Sequence, residues 1–258
     1  MTVGPSESMD LTIGEDEIHV WLSTTAGPLD EFEHLLAPDE RDRAERYRFL
    51  SDRRMFVVRR GLLRLLLGRY LDEDPTQVRF GYTAYGKPYL PDSAALVFNL
   101  SYSDGAVAYA VTLGRHVGID VEWIRSNLDH LALADRYFSS AERTVLRALS
   151  HDQMVGTFFR YWTRKEALVK AAGHGLSSPL LELDVRSSTI QSLHPAPTPD
   201  KPHDSPESCR LESLAIKPGL AAAVAATGIP WSVRVRELRE LLPLLSIHDR
   251  TERSRTMS

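Results

Sequence analysis

The sequence predicts an α+β protein of two related lobes that meet near residue 114. Three observations carry this. With 258 residues the chain makes one large domain or two small ones, at roughly 150 residues per domain. Strand-like alternation, then helical periodicity, then strand-like alternation again recurs in both halves. A composition of 43% hydrophobic and 26% charged residues is that of a soluble globular protein and sets aside disordered and fibrous architectures. The first lobe is expected over 1–114 and the second over 115–246, with 247–258 a polar tail.

Residues 17–23 alternate, with Ile18, Val20 and Leu22 on one side, and predict a first strand. Pro38 suits the first turn of a helix running towards Phe49. A longer helix is expected from Asp52 to Leu71, where Phe56, Leu63 and Leu67 recur at helical spacing opposite a side rich in arginine. Strands are predicted over 78–82, 96–100, 106–112 and 117–123, separated by turn residues such as Tyr85-Gly86-Lys87-Pro88 and Ser103-Asp104-Gly105. Helices follow from about Leu128 to Tyr137, from Ser139 with Glu142 at capping-box spacing, and from Asp152 to Ala172, ended by Gly173 and Gly175. Four strands close the pattern, over 181–185, 210–216, 220–226 and 233–238, with 187–208 a Pro/Ser/Asp/His-rich loop insertion.

A net charge of −4 excludes a chain built to coat nucleic acid. No apolar run reaches the roughly 18 residues that span a bilayer, and Glu7, Asp10 and Glu15 stand where a signal peptide would be apolar, so a cytoplasmic protein without membrane partners is expected. The one cysteine, Cys209, forms no intrachain disulfide, fits a reducing compartment, and has no nearby basic partner to make it a nucleophile. The nine histidines lack HxH or HExxH spacing, and His116, four residues before Asp120, is read as structural. Within this acidic chain, residues 41–69 hold ten arginines against three acids, a local cationic surface able to bind phosphate.

The informative spacing is Gly118-Ile119-Asp120-Val121-Glu122. On a strand Asp120 and Glu122 project to one side while Ile119 and Val121 face the core. Two carboxylates so placed repel each other unless a cation lies between them, although a DxE pair alone is commonly a solvated strand edge. Trp162, Glu166 and Lys170 share one helical face; by themselves the last two are an ordinary i,i+4 pair. A third carboxylate beside the first two makes a hard oxygen site suited to Mg²⁺ and hence to a phosphate-bearing substrate. Trp162, Phe158 and Phe159 are read as core.

In order, YGKPYL (85–90), FNLSYSDG (98–105), VGIDVE (117–122) and WTRKEALVKAAGHGL (162–176) resemble the successive motifs of the 4′-phosphopantetheinyl transferase superfamily, in its larger, two-lobed, surfactin-synthetase-activating type. The likeness runs from about Pro38 to Val185 and is most specific in the last motif. It implies two similar lobes with a pseudo-twofold relation, coenzyme A in the cleft between them, and a monomer. The implied reaction moves the phosphopantetheine arm of coenzyme A to a serine of an apo acyl or peptidyl carrier protein and releases 3′,5′-ADP. By motif position, Asp120, Glu122 and Glu166 would hold Mg²⁺ on the diphosphate, with Asp120, Glu166 and Lys170 the catalytic group. Tyr85, Gly86, Lys87, Pro88, Tyr89 and Leu90 would cradle the adenine end, Ser101 would approach the phosphates, and Arg43 and Arg54 would take the 3′-phosphate.

One position departs from the family pattern. Tyr102 stands where the family commonly has a histidine that contacts a coenzyme A phosphate, and a phenol donates one hydrogen bond without positive charge. Two other readings therefore stay open beside the transferase: a catalytically weakened binder of coenzyme A or carrier protein, and a Mg²⁺-dependent phosphohydrolase using the same carboxylates.

Overall fold

In the computed structural model, which describes residues 11–24, 32–93, 95–173, 181–194 and 207–244, there are two four-stranded sheets, each covered by one long helix. In the first sheet, β1 (Glu17–Ser23) pairs antiparallel with β5 (Ala106–Leu113), which pairs antiparallel with β4 (Leu96–Ser103). On its other side β1 pairs in parallel with β10 (Ser232–Glu237). The second sheet runs in the order β6 (Val117–Trp123), β9 (Leu220–Thr227), β8 (Glu207–Ser213), β7 (Thr189–Leu193), all antiparallel. A small hairpin pairs β2 (Gly81–Tyr82) with β3 (Pro88–Tyr89). The helices are α1 (Pro38–Glu45), α2 (Leu50–Leu71), α3 (His130–Tyr137), α4 (Ser140–Arg147) and α5 (His151–Ala172).

Strand alternation sorts the core into three layers. Trp21, Phe98, Tyr109 and Val111 face α2 and its Leu62, Leu63, Leu66 and Leu67. Their neighbours Ile18, Val20, Ala108 and Ala110 meet Ile119, Val121, Ala222 and Val224 of the second sheet. The opposite face of that sheet, with Cys209, Leu211, Ala223 and Ala225, packs on Phe158, Leu168 and Ala171 of α5. The layers are thus helix, sheet, sheet, helix. Alanine-rich inner faces on β5 and β9 bring the sheets close.

Both long helices end in a left-handed residue, Asp72 at φ 54° and Gly173 at φ 80°. Each is also tied down by a buried cation at the same place along its length. In the first lobe Glu40 caps α1 by accepting from Ala37 N at 2.9 Å, and accepts from Arg64 Nε of α2 at 2.6 Å and from Arg60. In the second, Ser139 and Glu142 form the expected capping box of α4, and Glu142 also meets Lys165 of α5 at 3.0 Å.

Six expectations change. Leu181–Val185 is no strand: Leu183 O accepts from Lys165 Nζ at 2.6 Å, Val185 N donates to Glu142 Oε1 at 2.9 Å, and Val185 O accepts from Arg164 Nε at 2.7 Å. Side chains take the backbone groups a ladder would have used. The strand lies instead at β7, inside the expected loop insertion, and β8 starts at Glu207 rather than Arg210. The first helical stretch stops at Glu45, and the strand expected over 78–82 shrinks to Gly81–Tyr82. Finally, β10 and the 3-10 turn Leu238–Leu244 belong to the first sheet and its core, so the chain crosses back over the division expected near 114. The tail 247–258, Gly175 and much of the insertion lie outside the described residues.

Candidate active site

Gly118 is where the second lobe's helix comes down on its sheet. A Cβ there would sit 2.0 Å from Ala167 O and 2.4 Å from Ala171 N, so only glycine lets α5 lie against β6. That contact lowers Lys170 onto Asp120. Lys170 Nζ is 2.7 Å from Asp120 Oδ1, 3.0 Å from Ser101 Oγ and 3.2 Å from Ile119 O.

β6 is an edge strand of the second sheet and β4 an edge strand of the first. The N–H groups of β6 that no ladder uses are taken by side chains of β4: Ile119 N donates to Asn99 Oδ1 at 2.9 Å and Val121 N to Ser101 Oγ at 3.4 Å. Ser101 Oγ donates to Asp120 Oδ1 at 2.7 Å, and Ser103 Oγ to Glu122 Oε2 at 2.5 Å. Lys87, from the turn before β3, crosses to the second lobe and donates to Val117 O at 3.1 Å and Lys170 O at 2.6 Å.

Burial pushes the carboxyls of Asp120, Glu122 and Glu166 upward. Lys170 and Ser101 oppose it at Asp120, while the charges of Asp120 and Glu122 push Glu166 up further. Burial alone draws the Lys87 ammonium down to about 8. Three mutually repelling carboxylates answered mainly by Lys170 form a place where another cation is favoured. Asp120 Oδ2 is buried with no hydrogen-bond partner, a hard oxygen with an unused acceptor site. The donor chemistry therefore fits a divalent cation. The geometry is open: among the described residues no three His, Cys, Asp or Glu side chains are gathered as a ligand set. Asp120 Oδ1 is held by Lys170 and Ser101 instead.

Beside this cluster lies a cleft of about 440 Å³, within the range of small-molecule sites. One wall is Arg43, Tyr47, Phe56, Arg59 and Arg60, another is Glu166, Val169, Lys170 and Gly173, and Tyr85, Gly86, Lys87 and Pro88 close a third side. Gly86, at φ +78°, needs the left-handed conformation that glycine adopts freely.

The structure thus brings together Arg43, Tyr85, Gly86, Lys87, Pro88, Tyr102, Glu166 and Lys170 on the cleft, with Ser101, Asp120 and Glu122 just behind it. Arg54 is exposed and does not line the cleft. Tyr89 and Leu90 do other work: the Tyr89 ring packs where Gly81 has no side chain, and Leu90 lies in the first lobe's core. Sequence reasoning missed Arg59 and Arg60, and gave no roles to Asn99 and Ser103 although both lie within the FNLSYSDG motif. Trp162 stacks on Phe158 with centroids 6.0 Å apart, as a core residue does.

Two family models match the chain: one described as 4′-phosphopantetheinyl transferase, N-terminal, over residues 21–113, and one as the 4′-phosphopantetheinyl transferase superfamily over residues 116–225. The 4′-phosphopantetheinyl transferase HetI of Nostoc sp. is 39% identical over 228 residues, covering 86% of this chain and 92% of HetI. The 4′-phosphopantetheinyl transferase Sfp of Bacillus subtilis is 29% identical, covering 83% of this chain and 92% of Sfp. AcpT of Salmonella typhimurium is 39% identical over a shorter stretch, 59% of this chain and 71% of AcpT.

Proposed function

Because this chain belongs to the 4′-phosphopantetheinyl transferase superfamily, we propose that coenzyme A lies in the cleft between α2 and α5 and reacts over the carboxylates at its floor. The enzyme transfers the 4′-phosphopantetheine arm of coenzyme A to a serine of a carrier protein and releases 3′,5′-ADP. One observation carries the placement: Ser101 from β4, Asp120 from β6 and Lys170 from α5 converge in one hydrogen-bonded cluster beside a cleft with an arginine-bearing wall.

In this reading the serine oxygen bonds to the phosphorus carrying the pantetheine arm while the bond to the ADP oxygen breaks. A serine hydroxyl is a poor nucleophile at neutral pH and must give up its proton. Glu166 lines the cleft, and its raised affinity for protons suits it to accept that one. Lys170 offsets charge on the diphosphate oxygens. Asp120, Glu122 and Glu166 would hold Mg²⁺, which when bound supplies further charge neutralisation at the diphosphate. Tyr85, Gly86 and Pro88 border the base end.

Both cleft walls come from one chain, which supports a monomer. Among the described residues no helix is long and apolar enough to cross a membrane, and we place the reaction in the cytoplasm. Intact-mass measurement of an apo carrier protein incubated with coenzyme A and Mg²⁺ tests the reading: one added phosphopantetheine arm is expected. Complex formation without that mass makes the protein a binder, and coenzyme A cleavage without labelling makes it a phosphohydrolase.

A further inference from the structure

Tyr102 lies on the face of β4 opposite Ser101 and Ser103. The two serines point to the carboxylates of β6, and Tyr102 points the other way, to α2. There the guanidinium of Arg59 lies over its ring, 3.5 Å from the centroid, and both residues line the cleft. The turn of α2 that carries Arg59 is fixed from below, since Tyr109 OH donates to Arg59 O at 2.6 Å. The next residue behaves differently: Arg60 is committed to Glu40 and to Tyr82 OH. Among the described residues no carboxylate or carbonyl takes the Arg59 guanidinium. Of two adjacent arginines, one is spent on structure and the other lies over the tyrosine ring with no acidic or carbonyl partner among the described residues.

We propose that Arg59, seated on Tyr102, binds the 3′-phosphate of the substrate, and that Tyr102 is its positioning residue. The inference rests on the cleft being the coenzyme A site. Coenzyme A carries two anionic groups, a diphosphate and a phosphomonoester. The diphosphate belongs beside Lys170, and the monoester requires cations away from Asp120, Glu122 and Glu166. Arg59 and Arg43 are those cations, on the far wall. Stacking on a ring leaves the in-plane N–H groups of a guanidinium free for phosphate oxygens. The positive charge that a histidine would bring at position 102 is supplied by the arginine the tyrosine supports. What Tyr102 contributes is its ring face, not its hydroxyl.

Steady-state carrier labelling with coenzyme A and with dephospho-coenzyme A, which lacks only the 3′-phosphate, tests this. Arg59→Met should raise KM for coenzyme A roughly tenfold, the worth of a charge-assisted contact, with kcat little changed and KM for dephospho-coenzyme A within about twofold of wild type. Tyr102→Leu should raise KM for coenzyme A in the wild-type background and add nothing to Arg59→Met, while Tyr102→Phe should recover most of what Tyr102→Leu loses. Equal losses on both substrates, or Tyr102→Phe as harmful as Tyr102→Leu, would overturn the assignment. Calorimetric titration with 3′,5′-ADP and 5′-AMP reads the same contact without any transfer. A wild-type protein that prefers 3′,5′-ADP but labels no carrier would defeat the transferase reading and leave this one standing; no such preference in the wild type would defeat this one alone.

Discussion

The two lobes use one device for opposite chemistry. In each, a glutamate that caps a short helix is held by a buried cation on the following 22-residue helix. The cation then bonds carbonyls of the loop beyond: Arg64 to Pro75 O and Val78 O, both at 2.9 Å, and Lys165 to Leu183 O at 2.6 Å. On this shared frame the first lobe presents Arg43 and Arg59 to the cleft, and the second presents Glu166 with Asp120 and Glu122 behind it. What differs is therefore the dressing of the long helices, which leaves cations on one wall of the cleft and a cation-seeking cluster on the other.

The largest expected break in this comparison is on the acidic wall. Glu166→Gln should lower carrier labelling by at least about 100-fold, the low end for losing a general base, with far-UV circular dichroism and melting unchanged. Near-normal labelling would remove Glu166 from the mechanism.

Next come the two buried pairs. Removing one member of such a pair costs about 3–5 kcal/mol because the other charge is left buried. Glu40→Ala strands two charges, Arg60 and Arg64, whereas Glu142→Ala strands one charge, Lys165, and the neutral Val185 N–H, so urea melts should show the larger loss for Glu40→Ala. Equal losses would mean that Arg60 is satisfied elsewhere.

A pH series sharpens the same point. Burial raises the Glu40 carboxyl, but Arg64 and Arg60 lower it by more, so its folded value lies below its unfolded 4.5. Its contribution is full above about 4.5 and is lost as pH falls through the folded value. The stability gap between wild type and Glu40→Ala should narrow on acidification across that window; a gap that stays constant would remove the ion pair as its cause.

The smallest effect concerns Cys209, whose thiol burial pushes up to about 12. Iodoacetamide should leave the folded protein unmodified near pH 8, with labelling tracking global unfolding in urea. Labelling that precedes the loss of first-lobe structure would show the lobes opening separately, despite the core they share between their sheets.

Period-two spacing made Asp120 and Glu122 legible, and the i,i+4 interval did the same for Glu166 and Lys170, because both are local consequences of strand and helix geometry. The capping box at Ser139 was legible for the same reason. Choosing among ten arginines was not. Arg54 and Arg59, five residues apart on a helix, differ by about 140° in direction, and only the packing of α2 decides which of them faces the cleft. Leu181–Val185 has the composition of a strand, yet its hydrogen-bond partners are side chains of α4 and α5 that no periodicity can announce. The pairing of β10 with β1 joins opposite ends of the described chain, beyond the reach of any local pattern.

That pairing also sets a schedule for the growing chain on the ribosome. β1 and β5 emerge early, but the parallel neighbour of β1 is not made until Ser232–Glu237 is translated, on the order of ten seconds later at ordinary elongation rates. Through that interval β1, rather than β10, is the outer strand of the first sheet, and its backbone groups stand open to pairing with a stranger.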